Sequence, residues 1–600
     1  RCVENCPAGA VKLGQKLCTK DGFIEYPRQE LPDEVKWGPE KWAIDYRDKN
    51  RINCHDTGTA PCKTACPAHI AVQGYLKLAA QGKYREALQL IKRENPFPAV
   101  CGRICNRRCE DACTRGTVDQ AVAIDEVKRF IAQQDLDAAT RFVPEKVIPK
   151  VDGEFSEKIA VIGAGPAGMS CAFYLAEKGY RPTVFEKEKR PGGMLVNGIP
   201  SFRLEKDVVQ AEIDILREMG VEFRCGVEVG KDITIAQLRE EGYQGFYVAV
   251  GLQSGGSLNI PGGEAQGVQA GIDFMRHVNS GLCSKMSGRV VVIGGGNIGA
   301  DVARTSLRCG AASVDLYCLE SYEDMPMGEE DRSECEREGI TIHAGWGQTE
   351  IVEQDGKCAG IRFRKCLSVK NAEGRFDPKF DDAVTEETAC DMVLYCIGQK
   401  VEWKELLTGT KVEFNPNGTV KADPVTYQTA EPDIFVGGDA YTGQKFAIDA
   451  IAAGKQGAVS LHRWVQHATL TIGRDRRQFI ELDKENALLA IDSYDNTPRQ
   501  QIGYNEALRK TFRDERVAFT EEQVKKETAR CLGCGASIVD PNKCIGCGIC
   551  TTKCAFDAIH LHRERPECST MYKCEDKMKA ILPYMIKRNF KIKRAARKSK

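Results

Sequence analysis

Two glycine loops and two groups of cysteines hold the residues that could do chemistry. Gly163-Ala164-Gly165-Pro166-Ala167-Gly168 and Gly294-Gly295-Gly296-Asn297-Ile298-Gly299 each have the glycine spacing of a dinucleotide site. Glycines let the backbone approach a pyrophosphate, and the N-terminus of the following helix supports its charge. Seven cysteines lie between Cys54 and Cys113, and eight between Cys531 and Cys574. Thiolates are soft ligands suited to iron–sulfur clusters, which carry single electrons, whereas dinucleotides carry hydrides. A chain with both is read as a converter between two-electron and one-electron carriers.

Each loop needs a strand before it and a helix and second strand after it. Lys158–Ile162 is a short apolar run of strand type, and the helical pattern after the first loop runs to Lys178 and stops at Gly179. A second strand, 182–186, ends in Glu186, 23 residues after Gly163, where a carboxylate can bind a ribose 2′-hydroxyl. The second loop repeats the plan: strand Arg289–Ile293, a helix around 301–307, and strand 313–317 leading to Leu319 and Glu320. Glutamate repels a 2′-phosphate and accepts from a free 2′-hydroxyl, so NAD(H) is preferred and NADP disfavoured. No C-x2-C or C-x4-C pair lies between Glu186 and Gly294, which argues against chemistry through a disulfide facing the first site.

The cysteine runs differ in specificity. Cys544-x2-Cys547-x2-Cys550-x3-Cys554 is the bacterial ferredoxin spacing for a [4Fe-4S] site, although Ala555 stands where proline is usual. Cys531, Cys534, Cys568 and Cys574 could supply a second cluster there. Upstream, Cys54, Cys62, Cys66, Cys101, Cys105, Cys109 and Cys113 lack a local histidine pattern, which favours iron over zinc. His55 and His69 are read as structural or solvated. Cys2-x3-Cys6-Pro7 looks like the end of a further ferredoxin run, so a cluster segment is expected upstream of Arg1. Ten cysteines from Cys171 to Cys396 are scattered and are read as reduced, mostly buried thiols.

The motif Gly192-Gly193-Met194-Leu195, with Gly198-Ile199-Pro200 and Phe202-Arg203-Leu204, resembles one flavoprotein family. That family contains the glutamate synthase small subunit, the N-terminal half of dihydropyrimidine dehydrogenase, and the large subunit of the bifurcating NADH-dependent ferredoxin:NADP oxidoreductase. Ile397-Gly398-Gln399 and Val436-Gly437-Gly438-Asp439 strengthen the resemblance, which spans about residues 54–470. It implies FAD at the first site, with contacts at Gly193, Met194, Arg203, Val229, Gly438, Asp439, Ala447 and Ile448. It implies a nicotinamide nucleotide at the second, with Gly398 nearby; NADP-using members carry arginines at the Leu319 and Glu320 positions. It also implies a helical domain with two [4Fe-4S] clusters. This chain departs from the family there. Arg51 replaces the first cysteine, the loop from Cys54 to Cys62 is longer, and Lys128 stands at the non-cysteine ligand. Cys101, Asp125 or Glu126 could substitute.

The chain has 600 residues, and its 85 basic residues balance 85 acidic ones. Six hundred residues exceed one core, and balanced charge gives no reason to expect nucleic acid. No apolar run is long enough for a membrane span. The expected fold is α/β: two Rossmann-like domains for FAD and NAD(P), an N-terminal α-helical iron–sulfur domain and a C-terminal ferredoxin-like domain. The expected divisions are 1–50, a ferredoxin remnant and linker; 51–150, the helical cluster domain; 151–285 with 398–470, the FAD domain; 286–397, the NAD(P) domain; 471–524, a helical linker; and 525–600, the ferredoxin-like domain with a basic tail over 587–600. The stretch 339–389 reads as short strands with charged turns and no chemistry. The expected function is electron exchange between NAD(P)H and ferredoxin or other redox subunits in a cytoplasmic complex of an anaerobe. FAD, NAD(H) and two to four [4Fe-4S] clusters are the expected cofactors. Flavin-based bifurcation is preferred over a glutamate-synthase-type input subunit.

Overall fold

Strands buried on both faces read as continuous apolar runs, and both Rossmann halves are built on them. In the computed structural model Lys158–Ile162 is buried from its second residue and forms the centre of a five-stranded parallel sheet. The order is Ile434–Val436, Tyr243–Val248, Lys158–Ile162, Thr183–Glu186, Glu222–Cys225. Ala160 lies opposite Thr183 and Ile162 opposite Phe185. The helix Pro166–Lys178 covers one face, starting at a proline and ending at Gly179 in the left-handed region, φ 104°.

The second half has the same plan. Thr341–Ala344, Ser313–Cys318, Arg289–Ile293, Met392–Tyr395 and Val268–Ala270 form a parallel sheet, with Arg289 opposite Ser313. The helix Asn297–Arg308 follows its loop. The residues expected as short strands instead make a separate antiparallel sheet, in which Lys357–Lys370 pairs with both Trp346–Gln354 and Phe376–Ala389. Two of these strands are 14 residues long. In Phe376–Ala389 most side chains are exposed and many are charged, so no alternating apolar pattern marks its length.

The helices Val72–Ala80, Tyr84–Lys92, Pro98–Ile104 and Ile124–Ala132 form the cysteine-bearing domain, and one apolar core joins it to the first Rossmann half. Glu212 ties the two together: its carboxylate accepts from Ala99 N at 2.7 Å and Val100 N at 3.0 Å. These are free donors of a helix N-terminus, so the buried acid caps a helix of the neighbouring domain. Residues 494–520, expected within a helical linker, form instead the ladder Gly503–Tyr504 with Arg516–Val517 and a 3-10 turn. The helix Glu521–Ala529 follows, opened by a Thr520–Gln523 capping box.

The described residues are 11–13, 16–19, 22–23, 60–145, 155–282, 285–472, 474, 487–490, 494–534, 537–539, 544–553, 559, 561 and 574–598. They divide into two compact units, 14–536 and 1–13 with 537–600. Taken by itself, the smaller unit has an antiparallel pair, Val11–Leu13 with Ser537–Val539, and the helices Ile549–Lys553 and Lys577–Lys598. The division falls after Ala536, so Cys531 and Cys534 belong to the larger unit. Cys2, Cys6, Cys54, His55, Cys554 and Cys568 lie outside the described residues. No described helix is long and apolar enough to cross a membrane.

Candidate functional site

A cavity of about 1350 Å³ is lined by both glycine loops. That exceeds the ~300–1,000 Å³ of a single small-molecule site. Gly163, Gly165, Pro166, Ala167, Glu186, Gly193, Met194, Arg203, Val229, Gly438, Asp439 and Ala447 line its first half; Gly294, Gly296, Asn297, Ile298, Leu319, Glu320 and Gly398 line its second. Ala164, Gly168 and Ile448 stand behind the wall. Ala164 donates its backbone N–H to Glu186 at 2.8 Å. Gly168 is a packing glycine, since a Cβ there would lie 2.0 Å from Gly163 O. Gly299 repeats this at 2.1 Å from Gly294 O. Ile448 is buried in the core.

The two strand-end acids differ. Glu186 is buried and accepts from Ala164 N and, at 2.9 Å, from Glu188 N. Burial raises its carboxyl, while those two donors oppose the shift. Glu320 is half-buried on the cavity wall, and its backbone carbonyl accepts from Gly345 N at 2.8 Å. Asp439 is raised to about 6 by burial first, although Lys445 N donates to it at 3.2 Å.

Arg203 lines the cavity, but its guanidinium is ion-paired with Asp301 and Asp331 of the second half. Its neighbour Phe202 is packed under two guanidinium groups, Arg304 at 4.7 Å and Arg308 at 3.9 Å. The Phe-Arg-Leu motif therefore clamps one Rossmann half to the other, a role its sequence did not reveal. Other wall residues were missed as well. Cys396 and Tyr395 come from a strand end, Phe376 and Gln348 from the antiparallel sheet, and Ile104 from the cysteine-bearing domain. Nothing in their local sequence marks them, because each arrives through tertiary packing.

Ile104 matters because Cys105 follows it. Cys101 lies in the last turn of Pro98–Ile104, and Cys105 caps that helix, its N–H donating to Cys101 O at 3.1 Å. Cys66, Cys101, Cys105 and Cys109 surround the buried Lys128; burial raises their thiols and the Lys128 ammonium lowers them. Lys128 is held by Asp125 at 2.5 Å, and Arg107 takes Glu126 at 3.5 Å and lies 3.8 Å from Asp125. Both acids are thus engaged by cations and not presented as ligands, whereas the Cys101 thiol interacts with that of Cys105. Cys66, Cys105 and Cys109 interact with one another, and thiolates are the usual donors of a [4Fe-4S] cluster. His69 Nδ1 lies 3.4 Å from Lys63 O, as a structural histidine would.

Cys62 belongs to a different group. Its thiol is raised by burial, then by Cys531, Cys113 and Cys534. These four line one small pocket with Gln73, Leu76 and Thr114. Among the described residues no three His, Cys, Asp or Glu side chains are set for a single metal ion. In the smaller unit Cys544 and Cys547 are exposed and Cys550 half-buried.

Residues 157–456 match the pyridine nucleotide-disulphide oxidoreductase family. Residues 45–140 match dihydropyrimidine dehydrogenase domain II, 4Fe-4S cluster, and 537–560 the 4Fe-4S binding domain. The chain is 33% identical over 504 residues to the NADP(+)-dependent formate dehydrogenase subunit beta of Moorella thermoacetica, covering 79% of this chain and 70% of that one. It is 31% identical over 433 residues to the glutamate synthase [NADPH] small chain of Escherichia coli, 69% of this chain and 90% of that one. It is also 31% identical over 420 residues to the NAD-dependent dihydropyrimidine dehydrogenase subunit PreT of Escherichia coli O157:H7, 69% and 92%. The chain belongs to the pyridine nucleotide-disulphide oxidoreductases, as an FAD-dependent NAD(P)H oxidoreductase with iron–sulfur domains.

Proposed function

We propose that this chain moves electrons between NAD(H) and a series of iron–sulfur clusters, and that it does so by flavin-based bifurcation in a cytoplasmic, multi-subunit complex. The observation that carries the reading is the shared wall: one cavity meets both glycine loops and Ile104, the residue beside Cys105. FAD, when bound, supplies the exchange between hydride and single-electron chemistry. The chain's own part is positional. Its first loop and Glu186 fix one dinucleotide, and the second loop and Glu320 fix the other. The Arg203 clamp holds the halves together, and no acid–base side chain is needed. Glu320 supports NAD over NADP, because a carboxylate disfavours a 2′-phosphate. The names of the relatives divide between the two nicotinamides. Ferredoxin is the proposed partner because a ferredoxin-type cysteine run follows the flavin core.

The second reading is an input subunit that feeds a partner reductase. It is favoured by similarity to nearly the whole glutamate synthase small chain. An anaerobic assay with NADH and oxidised ferredoxin, with and without NADP, separates the two. Ferredoxin reduced only when NADP is present supports bifurcation. Reduction by NADH unaffected by NADP overturns bifurcation in favour of simple conduction, and no reduction in either case favours the input subunit.

A further inference from the structure

The pocket around Cys62 is built from three parts of the chain that are distant in sequence. Cys62 lies in the short helix Pro61–Ala65, and Cys113 precedes a 3-10 turn at 114–117. Cys531 and Cys534 follow the helix Glu521–Ala529. Thr114 Oγ1 lies 3.2 Å from Cys534 Sγ. The approach of the C-terminal segment is fixed by buried polar bonds. Arg115 Nη1 donates to Arg530 O at 3.0 Å, Arg530 donates to Gln120 O at 2.6 Å, and Ala123 N donates to Glu527 at 2.7 Å. Arg115 and Arg530 are both almost wholly buried. Such a network holds one geometry, because leaving any of its groups unpaired in the interior is costly. It delivers two thiols to a place that already holds two.

Neither cluster family covers this pair of cysteines. The helical-domain match ends at 140 and the ferredoxin match begins at 537. The helical domain carries Arg51 where its family has a cysteine, and so is short of a thiolate on its own. We propose that Cys531 and Cys534 complete the helical domain's cluster site, so that Cys62, Cys113, Cys531 and Cys534 together hold one [4Fe-4S] cluster. Four thiolates are the full ligand count for such a cluster. Cys54 is then not a ligand of it, and the C-terminal ferredoxin run keeps its own four cysteines. The assignment holds whichever acceptor the clusters serve.

The test uses the purified, full-length holoprotein reduced with dithionite. It reads the electron paramagnetic resonance signals, iron per chain and flavin per chain. Serine keeps an oxygen donor, so Cys62→Ser and Cys534→Ser should alter the same signal, and Cys547→Ser a different one. Combining Cys62→Ser with Cys534→Ser should remove no more iron than one cluster holds, about four per chain. Cys54→Ser should leave that signal unchanged. If Cys534→Ser alters the signal that Cys547→Ser alters, or if Cys54→Ser and not Cys534→Ser moves the Cys62 signal, the assignment is overturned. Thr114→Val guards against misfolding of the cysteine variants. It removes the hydroxyl beside Cys534 and should shift the Cys62 signal alone, with flavin retained; a shift in the Cys547 signal instead counts against the assignment.

Discussion

The two Rossmann halves share a plan but differ in how finished they are. In the first, Glu186 is buried and held by two backbone donors, and Glu212 pins the half to the cysteine-bearing domain. In the second, the Glu320 carboxylate has no hydrogen-bond or ion-pair partner among the described residues and stands half-buried on the cavity wall. On the proposed function, the difference sets a half preorganised for a resident cofactor beside one for a ligand that comes and goes. A preorganised acid lowers the ordering cost of a permanent occupant, while an unengaged acid is left to discriminate between exchanging ones.

The largest test of that contrast exchanges nothing but a methyl. Gly168→Ala and Gly299→Ala each force a Cβ to about the same separation from a carbonyl oxygen, 2.0 and 2.1 Å. Overpacking of this kind costs about 1–3 kcal/mol. Gly168→Ala should purify depleted of flavin. Gly299→Ala should keep its flavin and bind the nicotinamide roughly tenfold or more weakly. Flavin absorbance per chain and a nicotinamide titration check both, and loss of flavin from both variants would break the contrast.

A smaller effect comes from the strand-end acid. Replacing Leu319 and Glu320 together by arginine should move the NADPH-to-NADH preference by about tenfold, near 1.4 kcal/mol, without altering flavin content. Stopped-flow reduction of the flavin by each nucleotide measures it. A parent protein that already prefers NADPH would sink the role given to Glu320.

The smallest effect concerns the pin. Burial raises Glu212 from its usual 4.5 to about 8, against the pull of the Ala99 and Val100 donors. Between those values the folded protein binds a proton that the unfolded chain has released, so stability falls as pH rises through that window. Glu212→Gln should flatten the slope at a cost of about 1 kcal/mol for the weakened cap. Denaturation of the holoprotein followed from pH 5 to 8 reads it; an unchanged slope would assign the titration elsewhere.

Much of the flavin core was legible because its signals are local. The strand Lys158–Ile162, the stop at Gly179 and the strand Arg289–Ile293 each follow from a few adjacent residues. The length of the antiparallel strands was not, because Phe376–Ala389 shows no apolar face of period two. Arg203 was read as a flavin contact; its ion pairs to Asp301 and Asp331 belong to tertiary structure and could not be seen in its motif. The grouping of Cys534 with Cys62 was hidden for the same reason: Thr114 and Cys534 touch across 420 residues of sequence, while spacing rules see only neighbours.

The buried bond from Arg115 to Arg530 spans 415 residues, and this has a consequence for the order of birth. A ribosome adds about 5–20 residues per second, so the cysteine-bearing helices emerge about 20–80 s before the segment that locks them. During that interval Glu110 waits for Arg499, and Ala123 for Glu527. A nascent chain cut before residue 495 would carry both nucleotide loops and never close the lock. A segment made long after the cysteine-bearing helices thus decides whether they are finished.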